Sequence, residues 1–341
     1  MKAAVYRGPG KLKLEDFPNP IIEKDDEILI RIKVSIICGT DIKTFLRGHP
    51  QIKPPTVLGH EFAGEVIEIG SKVNICKIGD KVSVAPFVNC GECFFCQKGI
   101  FELCKNRTFP SNGSFTEYVK ISQSFGLKGL VKFPENIDLK EAALTEPLAC
   151  VINSIEDSNI SLGDKVLIVG AGPMGLLNLL ITQLKGTSQI IVSEPMDERR
   201  KIASKLGALT VNPLKDDLSS FVHQHTEGRG ADEVIVAAGN PKIAESVIGL
   251  ARPGGRVILF GGFPKSSSLT FDPNLVHYNQ ISIVGGSGFT PQQFKQAAEL
   301  IKHNKINLNQ IITHSFSLNE IDKAFDLSIA QKGLKIAIIS D

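Results

Sequence analysis

The stretch VLIVGAGPMGLL, residues 166–177, places a glycine-rich turn between an apolar strand and an amphipathic helix. The turn has the spacing G-x-G-x-x-G, formed by Gly170, Gly172 and Gly175. In this context the first glycine permits a tight turn, the second lets the backbone approach a pyrophosphate, and the third allows close packing of helix on strand. The helix N-terminus then meets the phosphate charge. The stretch therefore predicts a dinucleotide site, to which we also assign Pro173 and Met174.

The next predicted strand, QIIVSE, indicates where the adenosine ribose of that ligand binds. It ends at Glu194, nineteen residues past Gly175, where an acid accepts hydrogen bonds from the ribose hydroxyls. A carboxylate also repels a 2′-phosphate, which favours NAD over NADP. Arg199 and Arg200 follow closely, so Arg199 is assigned to the cofactor site and NADP stays an alternative. The structural alternative for Glu194 is a cap on the following helix.

The organisation of the chain changes on either side of this motif. From 153 to 288 predicted strands and helices alternate, which indicates a parallel sheet with helices on both faces. Residues 1–152 contain mostly strand-like runs, among them 82–88, 114–121 and 27–36, the last with isoleucine and valine alternating with polar residues. The helices and the terminal strand beyond 288 do not extend the sheet pattern. We therefore predict an α/β protein with a discontinuous, mostly-β domain (1–152 and 289–341) and a doubly wound domain (153–288).

Composition excludes several classes of partner. The 38 Lys and Arg residues nearly balance the 36 Asp and Glu residues, giving a formal charge of +2 without long charged runs. Nucleic acid and anionic membranes are therefore not expected as partners. The chain starts without a secretory signal and has no run of about 18 apolar residues, which predicts a cytoplasmic location.

Four of the seven cysteines lie in NCGECFFCQKGIFELC, residues 89–104. Their spacing is C-x2-C-x2-C-x7-C, formed by Cys90, Cys93, Cys96 and Cys104. Four thiolates suit tetrahedral zinc and leave no position for water or substrate, which is typical of a structural site. An iron–sulfur cluster is the alternative for four cysteines. We define residues 89–105 as the cysteine lobe and predict that it holds a structural zinc ion. Cys76 and Cys150 fit no metal site.

A second set of candidate ligands is dispersed along the chain. It comprises Cys38 in IICGTD, His60 and Glu61 in LGHEFAGE, and Glu146 in LTEPLAC. Mixed sulfur, nitrogen and oxygen ligands suit zinc, and three protein ligands leave the open position that catalytic zinc needs. Each residue alone is unremarkable, so the prediction depends on their occurrence together with the dinucleotide motif.

Four motifs occur in the same order along the whole chain: GHEFAGEV, the four-cysteine lobe, the EPL of TEPLAC, and VLIVGAGPMG. In this combination the chain resembles the zinc-dependent medium-chain alcohol dehydrogenase superfamily, and within it the polyol branch of sorbitol, L-threonine and related sugar-alcohol dehydrogenases. The resemblance implies a GroES-like catalytic domain, a Rossmann NAD-binding domain and two zinc ions per chain. It also implies a homo-oligomer, a dimer or a tetramer.

The resemblance further implies roles for individual residues. Cys38, His60 and Glu61 are expected to bind the catalytic zinc, and Glu146 to bind it directly or to hold its water. Thr40 matches the hydroxyl that relays the proton of the alcohol while hydride passes to NAD. The family often has His three residues later, where this chain has Lys43, so either Lys43 or His49 is expected at the outer end of the relay.

The sequence indicates the reaction type more clearly than the identity of the alcohol substrate. The chain lacks the Arg-Tyr pair of animal sorbitol dehydrogenases, and it has Glu146-Pro147 where L-threonine dehydrogenases typically have Asp-Pro. The expected substrate is a polyol or secondary alcohol, with a sugar alcohol first. A phosphorylated sugar alcohol is an alternative because Lys43 and Arg47 could bind phosphate, as is L-threonine. A non-catalytic nucleotide-binding protein is the alternative from a different class.

Overall fold

The computed structural model describes residues 1–340 and divides into two compact units. The first unit is discontinuous and comprises Met1–Ala149 together with the chain from Phe289 onward. The second unit comprises Cys150–Gly288. Each unit has its own sheets and its own buried apolar core.

The strands, in chain order, are β1 Lys2–Gly8, β2 Lys11–Asp16, β3 Glu27–Ile36, β4 Thr56–Val57, β5 Glu61–Ile69, β6 Lys81–Val84, β7 Tyr118–Ser122, β8 Leu130–Phe133, β9 Lys165–Val169, β10 Gln189–Ser193, β11 Leu209–Val211, β12 Ala231–Val236, β13 Ala251–Leu259, β14 Ser282–Gly285, β15 Ile312–Ser317 and β16 Lys335–Ile339.

The α-helices are α1 Gly39–Arg47, α2 Phe94–Gln97, α3 Gln123–Gly129, α4 Leu139–Ala142, α5 Thr145–Ser158, α6 Pro173–Leu184, α7 Asp197–Lys205, α8 Leu218–His225, α9 Pro241–Val247, α10 Pro273–Asn279, α11 Pro291–Lys302 and α12 Ile321–Ile329. Short 3₁₀ turns lie at Phe101–Leu103, Ile248–Leu250 and Leu318–Glu320.

Two sheets build the first unit. One has three strands in the order β2-β1-β4, and the other has seven, in the order β15-β16-β3-β5-β6-β8 with β7 also paired to β3. Pairing is antiparallel throughout except between β15 and β16. The returning C-terminal segment therefore adds strands to the same sheet that the N-terminal segment begins.

The central strand of the larger sheet is β3, the segment whose alternation predicted a strand. Ile28, Ile30 and Ile32 are fully buried and face a core that β5, β6 and β7 share. Ser35, on the predicted polar face, is also buried, and its hydroxyl donates to the carbonyl of Ser114 at 2.7 Å. β3 is thus covered on both faces near its end, where it leads into α1.

The second unit is a six-stranded parallel sheet in the order β11-β10-β9-β12-β13-β14. Its central strands β9 and β12 are neighbours although two strands separate them in sequence. The direction of strand addition therefore reverses there, and in open parallel sheets ligands bind at the carboxyl ends beside such a point. The predicted doubly wound arrangement is confirmed.

Within residues 1–340, none of the helices combines the length and the apolar character that crossing a bilayer requires.

Candidate metal centres and dinucleotide site

The structure brings the four sulfur atoms of the cysteine lobe together. The Cys93–Cys96, Cys90–Cys104 and Cys90–Cys96 sulfur pairs are 3.5, 3.6 and 3.9 Å apart. These separations are too long for disulfide bonds, and all seven cysteines are free. A tetrahedral zinc ion with Zn–S bonds of about 2.3 Å requires sulfur separations of about 3.8 Å. The lobe therefore fits a four-coordinate zinc ion.

Backbone amides within the lobe stabilise negative charge on its first sulfur. The N–H groups of Glu92 and Cys93 each lie 3.4 Å from Cys90 Sγ. They lower the pKa of Cys90 to about 6, whereas burial raises the pKa of Cys96 to about 11. Cys90 is thus a thiolate at neutral pH, and Cys96 must release its proton when a metal binds.

Three of the four dispersed candidate ligands also lie close together. Ligand atoms of Cys38, His60 and Glu61 lie within 4.8 Å of one another. Cys38 follows β3 as the N-cap of α1, and Glu61 is the first residue of β5. Because β3 and β5 pair with Ile36 opposite Glu61, the sheet register places the three ligands side by side. Sulfur, imidazole and carboxylate together form a donor set that zinc accepts.

Asp41 is a site residue that the sequence analysis missed. It is 2% exposed, and its carboxylate accepts the backbone N–H of Cys38 at 2.9 Å and that of Gly59 at 3.3 Å. The same carboxylate lies 3.3 Å from His60 Nδ1. Burial opposes protonation of this ring, yet the charges of Asp41 and Cys38 raise the pKa of His60 well above its ordinary value. Asp41 can accept the Nδ1 proton and fix the ring, and a metal would then replace the proton on Nε2. The available signal was the C-x-x-D spacing, which forms a capping box.

Lys335 is a second residue that was missed. This lysine of β16 is buried, and its Nζ lies 2.5 and 2.6 Å from the two carboxylate oxygens of Glu61. Burial would lower the pKa of Lys335, but Glu61 and Cys38 raise it, so the pair is ionic. In the sequence, the available indication of this residue was a single lysine at the start of the apolar run KIAII. Its partner Glu61 lies 274 residues earlier.

Glu146, Thr40 and Lys43 are the remaining predicted catalytic residues. Glu146 is 9% exposed in the first turn of α5 and contributes to the electrostatic field at Lys335. Among residues 1–340, however, the group of possible metal ligands at this site comprises Cys38, His60 and Glu61 without Glu146. Thr40 and Lys43 are exposed on α1, and the Thr40 N–H is 3.5 Å from Cys38 Sγ.

The glycine-rich turn in the second unit has the close contacts that its sequence predicted. Gly170 has a φ of 101°, and a Cβ added at Gly175 would lie 1.9 Å from the Gly170 carbonyl oxygen. Gly172 is the N-cap of α6, and the atom nearest to a Cβ there would be Arg199 Nη1 at 3.8 Å. The backbone of the turn is therefore tightly packed at Gly175, whereas there is space next to Gly172. A pyrophosphate needs this space to approach the backbone.

Glu194 lies directly after β10 and holds this turn. Its carboxylate accepts the N–H of Ala171 at 2.8 Å and that of Met196 at 2.9 Å. Met196 is itself the N-cap of α7, so Glu194 does not cap the helix in the usual way, through the N2 or N3 amide. A carboxylate has about four acceptor positions, which leaves capacity for ribose hydroxyls.

The other predicted cofactor residues surround the turn. Pro173 and Met174 lie in the first turn of α6, where the fixed φ of Pro173 suits the start of a helix. Arg199 points its guanidinium toward Gly172, whereas Arg200 donates to the carbonyls of Glu194 and Pro195 at 2.8 and 2.7 Å. Arg199 is thus the arginine that faces the ligand side of the turn.

Two models of known protein families match this chain, one in each half. The model described as "Alcohol dehydrogenase GroES-like domain" matches residues 24–135. The model described as "Zinc-binding dehydrogenase" matches residues 173–303.

Three curated relatives cover nearly the whole chain. L-threonine 3-dehydrogenase of Pyrococcus horikoshii is 34% identical over 95% of this chain and 93% of its own length. Sorbitol dehydrogenase of Halalkalibacterium halodurans is 32% identical over 99% of both chains. D-arabitol-phosphate dehydrogenase of Enterococcus avium is 33% identical over 100% of this chain and 98% of its own length.

Two solved structures show the same fold over the full length. A zinc-binding dehydrogenase of Sinorhizobium meliloti 1021 bound to NADP has a TM-score of 0.91 at 29% identity, covering 99% of this chain and 98% of the other. The 2R,3R-butanediol dehydrogenase of Bacillus subtilis has a TM-score of 0.89 at 27% identity, covering 100% and 99%. With both family models and end-to-end relatives in agreement, the chain belongs to the polyol branch of the zinc-dependent medium-chain alcohol dehydrogenases, oxidoreductases that use zinc and a nicotinamide cofactor and act on small-molecule alcohols.

Proposed function

We propose that this protein oxidises a polyol or secondary alcohol, a sugar alcohol first, by transferring hydride to NAD. The observation that carries the proposal is the convergence of Cys38, His60 and Glu61, whose ligand atoms lie within 4.8 Å of one another. A thiol, an imidazole and a carboxylate that converge in this way form a donor set that zinc accepts. The relatives named for sorbitol, arabitol phosphate and butanediol support a substrate with several hydroxyl groups.

In this proposal the residues of the first unit bind the alcohol's hydroxyl group and remove its proton. Zinc held by Cys38, His60 and Glu61 would supply Lewis acidity that lowers the pKa of a bound alcohol, and NAD the hydride acceptor. Asp41 fixes the His60 ring and the Cys38 backbone, so that the ligands keep their orientation. The Thr40 hydroxyl can accept the substrate proton and pass its own outward, because a hydroxyl both donates and accepts. Lys43 or His49 would receive the proton next.

The same proposal assigns the second unit to the cofactor. Glu194 supports NAD over NADP because its carboxylate, fixed by Ala171 and Met196, would repel a 2′-phosphate. Arg199 supports the alternative, since its guanidinium faces the glycine-rich turn. The relative from Sinorhizobium meliloti is bound to NADP, so both cofactors belong in the assay.

Two zinc ions per chain complete the proposal, one at the dispersed set and one in the cysteine lobe. We further propose that the discontinuous first unit is the catalytic domain and the second the NAD-binding domain. We also propose a cytoplasmic location and, by resemblance to the family, a homo-oligomer that is a dimer or a tetramer.

Steady-state kinetics on a substrate panel tests the function. The panel comprises sorbitol, xylitol, D-arabitol, 2,3-butanediol, L-threonine and their available phosphate esters, each with NAD and with NADP. We expect turnover with at least one polyol and a higher kcat/KM with NAD. Metal analysis should find two zinc ions per chain. A single zinc ion, removable without loss of turnover, would instead support the non-catalytic alternative.

A phosphorylated sugar alcohol is the second candidate substrate. Lys43 and Arg47 lie one turn apart on α1 and are exposed, so both ammonium and guanidinium groups can reach a phosphate. The 33% identity to a D-arabitol-phosphate dehydrogenase supports the same candidate. Arg47→Ala should then raise KM for the phosphate ester about 10-fold and leave KM for the free polyol unchanged, the size expected for one charge-assisted contact. Equal effects on both substrates would exclude it.

A further inference from the structure

A lysine from outside the cysteine lobe contacts the first turn of the lobe. Lys128 lies near the end of α3, and its Nζ donates to the carbonyl oxygens of Asn89 at 3.0 Å and Cys90 at 3.3 Å. It also approaches the tight turn at Gly91, where a Cβ would lie 3.9 Å from Nζ and φ is 87°. One ammonium group therefore holds two successive peptide carbonyls at the entry of the lobe.

The helix that carries Lys128 is itself fixed against the chain entering the lobe. The carbonyl of Gly129 accepts the N–H of Ala85 at 2.7 Å. A Cβ at Gly129 would lie 2.7 Å from Val88 Cγ1, so helix and entering strand are in close contact. Ser122 caps the helix start by accepting the N–H of Phe125 at 3.2 Å. Because both ends of α3 are anchored, Lys128 is held over the lobe rather than free to sample the surface.

Asn89 makes the complementary contact from inside the lobe. Its side chain is buried, and Nδ2 donates toward Cys96 Sγ at 3.6 Å. Cys96 is 5% exposed, so this N–H lies where solvent hardly reaches the sulfur. A donor to the ligand atom fixes the orientation of that ligand. Asn89 Oδ1 is buried without a partner in the described part of the chain, beside a cavity of about 10 Å³ that Lys128 also lines.

Charge gives the lysine a second role. Four thiolates around one Zn²⁺ carry a net charge of −2, which is costly in a partly buried site without a nearby cation. The lobe's own lysines, Lys98 and Lys105, are exposed to solvent, where their charges are screened. Lys128 is half-buried and contacts the backbone that carries Cys90. Its ammonium therefore faces less screening than theirs.

We propose that Lys128 and Asn89 are positioning residues for zinc in the cysteine lobe: Lys128 fixes the carbonyls of residues 89 and 90 and offsets the negative charge, while Asn89 donates to Cys96. This inference rests on the proposed zinc at the four cysteines. Helix α3 contributes no metal ligand, but through Lys128 it would raise the affinity of the cysteine lobe for zinc.

Zinc retention in the full-length protein tests the inference. Lys128→Met keeps the aliphatic stem and removes the donor and the charge, while Lys98→Met removes an exposed lysine of the same lobe. We expect Lys128→Met to weaken zinc binding at the four cysteines about 10- to 100-fold in chelator competition, the range for residues that support metal ligands. Lys98→Met should match the unaltered protein, and Lys128→Arg should restore most of the affinity. Cobalt(II) substitution identifies the site when Cys38→Ser is also present, because Cys38 is the one thiolate ligand of the other candidate site and the remaining charge-transfer bands then report the four-sulfur lobe.

A second pair of variants keeps the test independent of Lys128. Asn89→Ala should release the lobe metal faster, and Asn106→Ala, at an exposed asparagine nearby, should not. Equal zinc affinity in Lys128→Met and Lys98→Met would overturn the inference, as would equal loss from both zinc sites. If the unaltered protein carried no metal at the four cysteines, the proposed structural zinc itself would fail, which is a distinguishable result.

Discussion

Thr40 lies in the first turn of α1, with its backbone N–H 3.5 Å from Cys38 Sγ and its carbonyl accepting the Thr44 hydroxyl at 2.8 Å. Its backbone is thus fixed beside the candidate metal ligands. We expect Thr40→Ala to lower kcat about 100-fold, the effect of removing a proton-transfer group. Thr40→Ser keeps the hydroxyl and should retain most activity. Steady-state kinetics between pH 6 and 10 with the best polyol measures both variants.

Lys43→Ala, on the exposed side of the same helix, is the matched control for this prediction. An ammonium group donates hydrogen bonds but has no electron pair with which to accept a proton, so its loss should change the pH profile of oxidation only slightly. Full turnover in Thr40→Ala would show that the proton leaves by another route. A large loss in Lys43→Ala would place the essential base there instead.

Asp41 makes a different prediction, because it contacts Cys38 and His60 without being a candidate ligand itself. Asp41→Ala should weaken metal binding at the dispersed set about 10- to 100-fold, since the imidazole loses the partner that fixes its ring and its proton. Zinc in the cysteine lobe should be unaffected. Metal analysis after dialysis against increasing chelator measures the two sites separately.

Asp322→Ala removes an exposed carboxylate of the same unit and serves as the control. It should keep both zinc ions through the same dialysis. If Asp41→Ala also kept them, the hydrogen bonds of Asp41 would have no role in retaining metal, and its contribution would be to the fold of α1 alone.

These residues mark the limit of prediction from sequence at this scale. The glycines of the turn and the four cysteines could be predicted because their spacing is local and each chemistry needs that spacing. Asp41 also lies close to Cys38 in sequence, so the C-x-x-D spacing could have identified it. Lys335 could not be paired with Glu61 from sequence, since the pair forms only when β16 joins the sheet beside β3.

Among the elements, strands were predicted well where alternation was regular and poorly where a special residue intervened. The run VSVAPFV was expected to be a strand over 82–88, but β6 ends at Val84, before Pro86, which has no N–H for a ladder. The run at 114–121 begins as a strand only at Tyr118, because Thr116 makes an isolated bridge to Ala3 in the other sheet. Competition between two sheets is not visible in a local pattern.

Strand β12 contains an element-scale feature that the pattern DEVIV did not indicate. Glu233 is 5% exposed between β9 and β13, and its Oε2 has no hydrogen-bond partner in the described residues. Burial, reinforced by the charges of Asp164 and Asp232, raises the pKa of Glu233 to about 8, although Arg256 and Arg252 oppose the shift. The carboxyl group is therefore largely protonated inside the folded protein at neutral pH.

This pKa predicts that the second unit loses stability as the pH rises from about 4.5 to about 8. Between the ordinary value of 4.5 and about 8, the unfolded chain has lost this proton while the folded chain retains it. Raising the pH through this window therefore favours unfolding, and the full cost is reached above about pH 8. Glu233→Gln cannot ionise, so we expect it to be more stable than the unaltered protein at pH 8.5 by a few kcal/mol, and by much less at pH 5.

Urea denaturation at the two pH values measures this effect, with Glu198→Gln, at an exposed residue of α7, as the matched control. The control should change stability equally at both. If Glu233→Gln gave the same increment at pH 5 and pH 8.5, the buried carboxyl would not be the titrating group.

At the scale of the whole molecule, the two candidate metal sites depend on their metals to different degrees. The ligands Cys38, His60 and Glu61 are fixed by the pairing of β3 with β5, by Asp41 and by the ion pair of Glu61 with Lys335. The cysteine lobe has little core of its own. Three of its apolar side chains, Phe94, Ile100 and Leu103, are 65, 38 and 52% exposed, and Phe95 and Phe101 are only half-buried. A segment that buries so little apolar surface would depend on the proposed zinc ion to stay folded.

Complete removal of zinc should therefore abolish turnover and unfold the lobe, while the sheets persist. We expect amide hydrogen exchange in residues 89–105 to accelerate about 10-fold or more after chelation, and exchange in β3 to stay slow, because local opening depends on local contacts. Cys38→Ser is the matched control: it should lose activity and the metal at the dispersed set while the lobe stays protected. An unchanged exchange rate in the metal-free lobe would mean that contacts such as those of Lys128 hold it without zinc, and the cysteines would then need another role.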